Sequence, residues 1–74
     1  MNDRYQEAFA ACRADVTAAA VARLGRELSH EEHVGIERIG SLMMLEAVYR
    51  SFASDSYPLE TVESDLRYFA SQPG

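Results

Sequence analysis

The sequence predicts an all-α protein, and three patterns carry that prediction. Apolar residues recur at helical spacing in three separate stretches. Ser29-His30-Glu31-Glu32 has the form of a helix-capping box. Gly25 and Tyr57-Pro58 punctuate the chain where helices end and begin. The predicted arrangement is an antiparallel helical hairpin, about residues 3–24 and 30–54, plus a short C-terminal helix, about 58–71. Together they form a single helical domain over residues 1–74.

The first helix starts at Asn2 or Asp3, either of which can cap it, with Asp3 and Glu7 favourable near its positive end. Tyr5, Phe9, Cys12, Val16, Ala20 and Leu24 then form one apolar stripe. The rest is rich in alanine, which has the best helix propensity and lets neighbouring backbones approach closely. Such a helix runs about 33 Å. Gly25 follows as its left-handed C-terminal cap.

In the second helix Ser29 is the N-cap and Glu32 reaches back to it. Leu28 can form a staple with His33 or Val34. The short link from Gly25 to Ser29 predicts antiparallel neighbours. Gly35 and Gly40 each cost up to about 1 kcal/mol relative to alanine, and close approach of another helix is the expected compensation. The polar residues change sides along this stretch. Glu37, Arg38 and Ser41 cluster on one side, and Glu46 and Arg50 lie about 150° away. Glu46 to Arg50 is the favoured order for an i,i+4 ion pair. This switch predicts a helix threaded between two neighbours.

The segment 42–53 is the most informative one. Nine of its twelve residues are apolar. Leu42, Leu45, Tyr49 and Phe52 step along one face, while Met43 with Ala47 and Met44 with Val48 occupy two more. A helix apolar nearly all round must be buried nearly all round. A small domain buries only about 60–65% of its unfolded surface. Disulfides within the chain are excluded, because Cys12 is the sole cysteine. Oligomerisation remains as the added stabilisation. The expectation is a homodimeric helical bundle with Ile39, Leu42, Met43, Leu45, Val48, Tyr49 and Phe52 at the dimer interface.

Pro58 opens the last helix, where Glu60 and Glu63 favour its start. Leu59, Val62, Leu66 and Phe69 form its apolar face. Ser71-Gln72-Pro73-Gly74 reads as a frayed tail.

The net charge is −5, from twelve carboxylates against seven arginines. An acidic chain without a basic cluster repels a phosphate backbone, so no direct nucleic-acid binding is expected. No stretch reaches the ~18 apolar residues a membrane span requires. The N-terminus lacks a signal pattern, and one unpaired cysteine fits a reducing compartment, so the expectation is cytoplasmic. All seven basic residues are arginine. That is an association with GC-rich codon usage of bacterial or phage type.

Chemistry-bearing residues are few. His30 and His33 share a helix face, but H-E-E-H is not H-E-x-x-H and no third histidine completes a metal site. Cys12 lies on an apolar stripe, where free cysteines act as small hydrophobes. No metal, cofactor or catalytic residue is expected, and the chain is read as not an enzyme. Ser41-Leu42, followed by Leu45-Glu46 and Val48, resembles the acyl carrier proteins. Their modified serine sits in an Asp-Ser-Leu motif at the start of a helix, in an acidic chain of similar length. The resemblance implies phosphopantetheine attachment at Ser41. Gly40 stands in the aspartate's place, however, and Ser41 falls inside the predicted helix 30–54.

The leading functional expectation is a small acidic protein–protein interaction module. It would be a homodimeric regulator or inhibitor that occludes a protein partner. Glu31, Glu32, Tyr57, Glu60 and Glu63 are the candidate partner-binding residues: carboxylates for a basic surface and one aromatic anchor at a helix corner. The alternatives are the carrier-like domain modified on Ser41, and an accessory transcription regulator acting through a DNA-binding partner.

Overall fold

A computed structural model describes residues 3–72 as four helices: α1 (Asp3–Leu24), α2 (His30–Glu37), α3 (Leu42–Ala53) and α4 (Leu59–Ser71). The expected Asn2 cap and the Pro73-Gly74 tail lie outside the described residues. No strand occurs among the described residues, and none of their helices is long and apolar enough to cross a membrane.

α1 ends as its sequence dictates. Gly25 takes φ 68°, and its N–H donates to the Val21 carbonyl at 2.8 Å. A residue with a Cβ is disfavoured there, so glycine stops the helix cheaply. The capping box of α2 forms as read. Glu32 N–H donates to Ser29 Oγ at 3.2 Å, and Ser29 N–H donates to Glu32 Oε1 at 2.8 Å. Pro58 serves as the N-cap of α4, and its carbonyl accepts from Thr61 and Val62.

The predicted helix 30–54 is two helices. It breaks over Arg38, Ile39, Gly40 and Ser41. Arg38 caps the end of α2, and Ser41 caps the start of α3, its hydroxyl accepting from Met44 N–H at 3.3 Å. Glycine's low helix propensity and serine's capping preference act together at this point. The break also explains the change of polar side. Glu37 and its C-cap Arg38 go with α2, Glu46 and Arg50 belong to α3, and each helix has its own solvated face.

The chain reverses at the break. α2 runs back along α1, with Arg13 Nη2 reaching the Glu37 carbonyl. α3 then runs parallel to α1. Cys12 and Leu45 border one hollow, and Arg23 lies beside Asp55. α4 runs parallel to α2, with Arg38 donating to the Gln72 carbonyl at their far ends. The main packing pairs are α1 with α3 and α2 with α4. Residues 42–53, expected to continue the second helix antiparallel to the first, instead form a separate helix that packs on α1 in the same direction.

The core is shared among all four helices and the connections. Val16 and Ala20 of α1, Leu28, Ile36, Ile39, Leu45, Val48 and Phe52, and Val62 and Leu66 of α4 are buried. Fully burying a side chain of the Val, Leu, Ile or Phe kind contributes about 1.5–3 kcal/mol. Ile36 before the break, Ile39 within it and Leu45 after it enter this one core, which holds the reversal in place.

Among the glycines of residues 3–72, Gly35 has the closest neighbours. A Cβ placed on it would collide with the Leu66 carbonyl oxygen and stand 3.2 Å from Ala70 N. Both atoms are α4 backbone and cannot swing aside. Gly40 has open space around it. Gly35→Ala is therefore expected to destabilise by about 1–3 kcal/mol despite alanine's better helix propensity. Gly40→Ala should stay within about 1 kcal/mol of the parent. Thermal melts measure both, at about 4–8 °C per kcal/mol for a domain of this size; equal Tm values for the two variants would contradict the close approach.

Candidate interaction surface

The apolar residues of α3 divide into an inner and an outer set. Leu45, Val48 and Phe52 recur at i, i+3, i+7 and are buried. Adjacent residues differ by about 100° on a helix, so Met43, Met44 and Tyr49 cannot share that side. Met43 is 81% exposed, and Met44 and Tyr49 are exposed as well. Of the residues expected at a dimer interface, Ile39, Leu45, Val48 and Phe52 are buried within the chain itself. Leu42 is half-buried, so Met43 and Tyr49 are the ones left with substantial surface for a second molecule.

Tyr49 lies in the groove between α1 and α3. A hollow of about 510 Å³ is bordered by Asp15, Ala18, Ala22, Tyr49, Phe52 and Asp55 among others. It continues past Asp15 and Tyr49 into a second, of about 260 Å³, bordered by Cys12, Leu45, Glu46 and Arg50. The alanines predicted to permit close helix approach here also floor an open groove. Met44 lines a separate cleft with Ser41, Tyr68, Phe69 and Gln72. Tyr68, 61% exposed, was not singled out by sequence. Its signal was its place one residue before Phe69, about 100° off the apolar stripe of α4.

The candidate partner-binding residues do not form one patch. Glu31 and Glu60 are exposed at the starts of α2 and α4. Glu32 is only 4% exposed and takes part in an internal fork. Arg26 Nη1 donates to its Oε1 at 2.8 Å and Nη2 to its Oε2 at 2.9 Å, while Nη2 also donates to Glu63 Oε2 at 3.1 Å. One guanidinium, just past the end of α1, thus ties the first turn of α2 to the second turn of α4. The paired hydrogen bonds match the planar geometry of arginine and carboxylate.

Arg26 and the Ser29 backbone N–H hold the Glu32 carboxyl well below its usual range, at about 2, against the opposing effect of burial. The Glu32 and Glu63 carboxylates in turn raise the Arg26 guanidinium above its ordinary value.

Tyr57 is half-buried at the corner between α3 and α4. Its hydroxyl donates to Asp65 Oδ2, and its ring stands 6.1 Å from that of Phe52. Asp65 and burial push its pKa up to about 12. Arg23 Nη2 donates to the Tyr57 carbonyl, so the corner is fastened to α1 as well. Tyr57 acts as a local staple in this chain.

Ser41 is exposed at the first turn of α3, at a helix start rather than inside a helix. Cys12 is half-buried at the edge of the α1–α3 groove. No group of three His, Cys, Asp or Glu side chains placed to hold a metal ion occurs among the described residues. Comparison with protein-family models, with curated proteins and with solved structures finds no match to this chain.

The fork sets a pH dependence. A carboxyl whose pKa falls on folding contributes stability that is complete above its unfolded value and is lost as pH drops through the folded value. For Glu32 that window runs from about 4.5 down to about 2. Glu32→Gln should cost about 1–2 kcal/mol at pH 7, near the lower end because the Arg26 side chain is 43% exposed. It should also flatten the loss of stability across that acid window. Denaturant titrations at a series of pH values measure both effects; a parent and variant with parallel pH profiles would contradict the assignment.

Proposed function

We propose that this chain is a protein–protein interaction module, a homodimeric regulator or inhibitor that acts by covering a site on another protein. The observation that carries the reading is the set of large apolar side chains exposed on ordered helices: Met43, Met44, Tyr49 and Tyr68. Water contact at such groups is unfavourable, and aromatic and methionine side chains are the ones enriched at protein contacts. A net charge of −5 supports a partner with a basic face and opposes direct contact with a phosphate backbone. Carboxylates such as Glu31 and Glu60 supply the charge at the rim, and the exposed aromatics supply the anchors.

A second reading is favoured by one observation. Ser41, exposed at the start of α3, occupies the kind of position a carrier's modified serine takes. The leading reading is preferred because the Ser41 hydroxyl already caps α3 through Met44 N–H. Gly40 also leaves the site without the acidic neighbour of the carrier motif.

Three measurements separate the readings. Light scattering on the full chain at tens of micromolar should give twice the 8.3 kDa chain mass; a clean monomer would contradict the homodimer. Affinity capture with the parent chain should retain a partner that a Met44→Glu, Tyr68→Ala variant fails to retain, with both proteins equally helical by circular dichroism. A phosphopantetheine adduct on Ser41, seen by intact-mass spectrometry of the native protein, would establish the carrier reading instead.

A further inference from the structure

The outer face of α3 has a charge pattern that is complementary to itself. Opposite the buried Leu45–Val48–Phe52 side lie Met43 and Ala47, both exposed. At about 100° per residue, Glu46 and Arg50 share one flank of that face. Met44 and Ser51 lie on the other. Glu46 precedes Arg50 in the favoured order for an ion pair within the helix. The pair does not form, and neither side chain has a salt-bridge partner among the described residues.

A two-fold axis decides which pairing joins these charges. When two copies of a helix pack in parallel about a two-fold, each flank meets the opposite flank of the partner. Glu46 and Arg50 would then face Met44 and Ser51. When the copies pack antiparallel, each flank meets its own kind with the direction reversed. A crossing near Ala47 then sets Glu46 of each copy against Arg50 of the other, in two equivalent ion pairs. Ala47 is small enough for the backbones to approach at the crossing, and each Met43 extends across the partner helix. This is an isologous contact, in which the same patch serves on both subunits.

We infer that α3 is the self-association helix and that two copies of this chain pair through it antiparallel, crossing near Ala47. The inference rests on the homodimer reading and adds the surface and the direction. The face uses none of the buried residues, so the fold is the same in both subunits. It leaves the Met44–Tyr68 cleft at the α3 flank away from the charges.

Sedimentation velocity on the full chain, with charge-reversal variants, tests it. Glu46→Arg and Arg50→Glu should each weaken the dimer about tenfold or more, because each sets like charges against each other twice. The double variant should restore it, since reversal of both signs recreates the complementary pairs. These positions are exposed, so circular dichroism should be unchanged. Cysteine cross-linking in a Cys12→Ser background gives the direction. Ala47→Cys should link to its own copy, and Met43→Cys, about 6 Å from the crossing at 1.5 Å per residue, should not. A monomeric parent would overturn this inference together with the homodimer reading. A dimer indifferent to the charge reversals, or one in which Met43→Cys links to itself, would overturn this inference alone.

Discussion

The fold depends on the contact between Gly35 and the backbone of α4. Two helices normally keep 8–10 Å between their axes because side chains stand between them. At Gly35 no side chain intervenes, and the Leu66 carbonyl oxygen lies too close to leave room for a Cβ. α2 is only eight residues long, and its helix propensity is poor. It persists because its capping box fixes its start, Gly35 seats it against α4, and Ile36 and Ile39 enter the core beyond that point. If α4 stood further away, Ile36 would lose its surroundings and the reversal after Ile39 its anchor.

The break between α2 and α3 gives the chain its arrangement. A continuous helix from 30 to 54 would carry its second half past Arg13 toward the start of α1, away from Val16 and Ala20. The break turns that half back, so Leu45, Val48 and Phe52 reach the apolar stripe that Val16 and Ala20 present. The polar residues follow the same division. Glu37 and Arg38 are solvated on α2 and Glu46 and Arg50 on α3. The fork from Arg26 to Glu32 and Glu63 then binds the first turn of α2 to the second turn of α4. Glu32, at the start of α2, also favours that helix's dipole.

With the core closed this way, the surface is a consequence of α3's composition. Nine apolar residues among twelve exceed what one buried side can hold. The inner set packs on α1, and Met43, Met44 and Tyr49 remain outside. Tyr68 of α4 joins Met44 at one cleft, while Tyr49 lies in another groove between α1 and α3. The exposed apolar groups are therefore spread over more than one face.

The sequence by itself determined the local events. Helix content, the Gly25 stop, the Ser29–Glu32 cap and the start of the last helix at about residue 58 follow from propensity and hydrogen bonding within a few residues, and those terms are readable from a few residues. The surplus of apolar residues in 42–53 was legible for the same reason. Tertiary structure decided the break at 38–41, since glycine and serine are tolerated inside many helices and only the shared burial of Ile39 and Leu45 makes the turn favourable here. It also decided the second role of Glu32, beyond its capping box, and the role of Tyr57, once Arg26 and Asp65 came within hydrogen-bonding reach. Partners six to thirty-seven residues away leave no local pattern; their pairing exists only once the helices have packed.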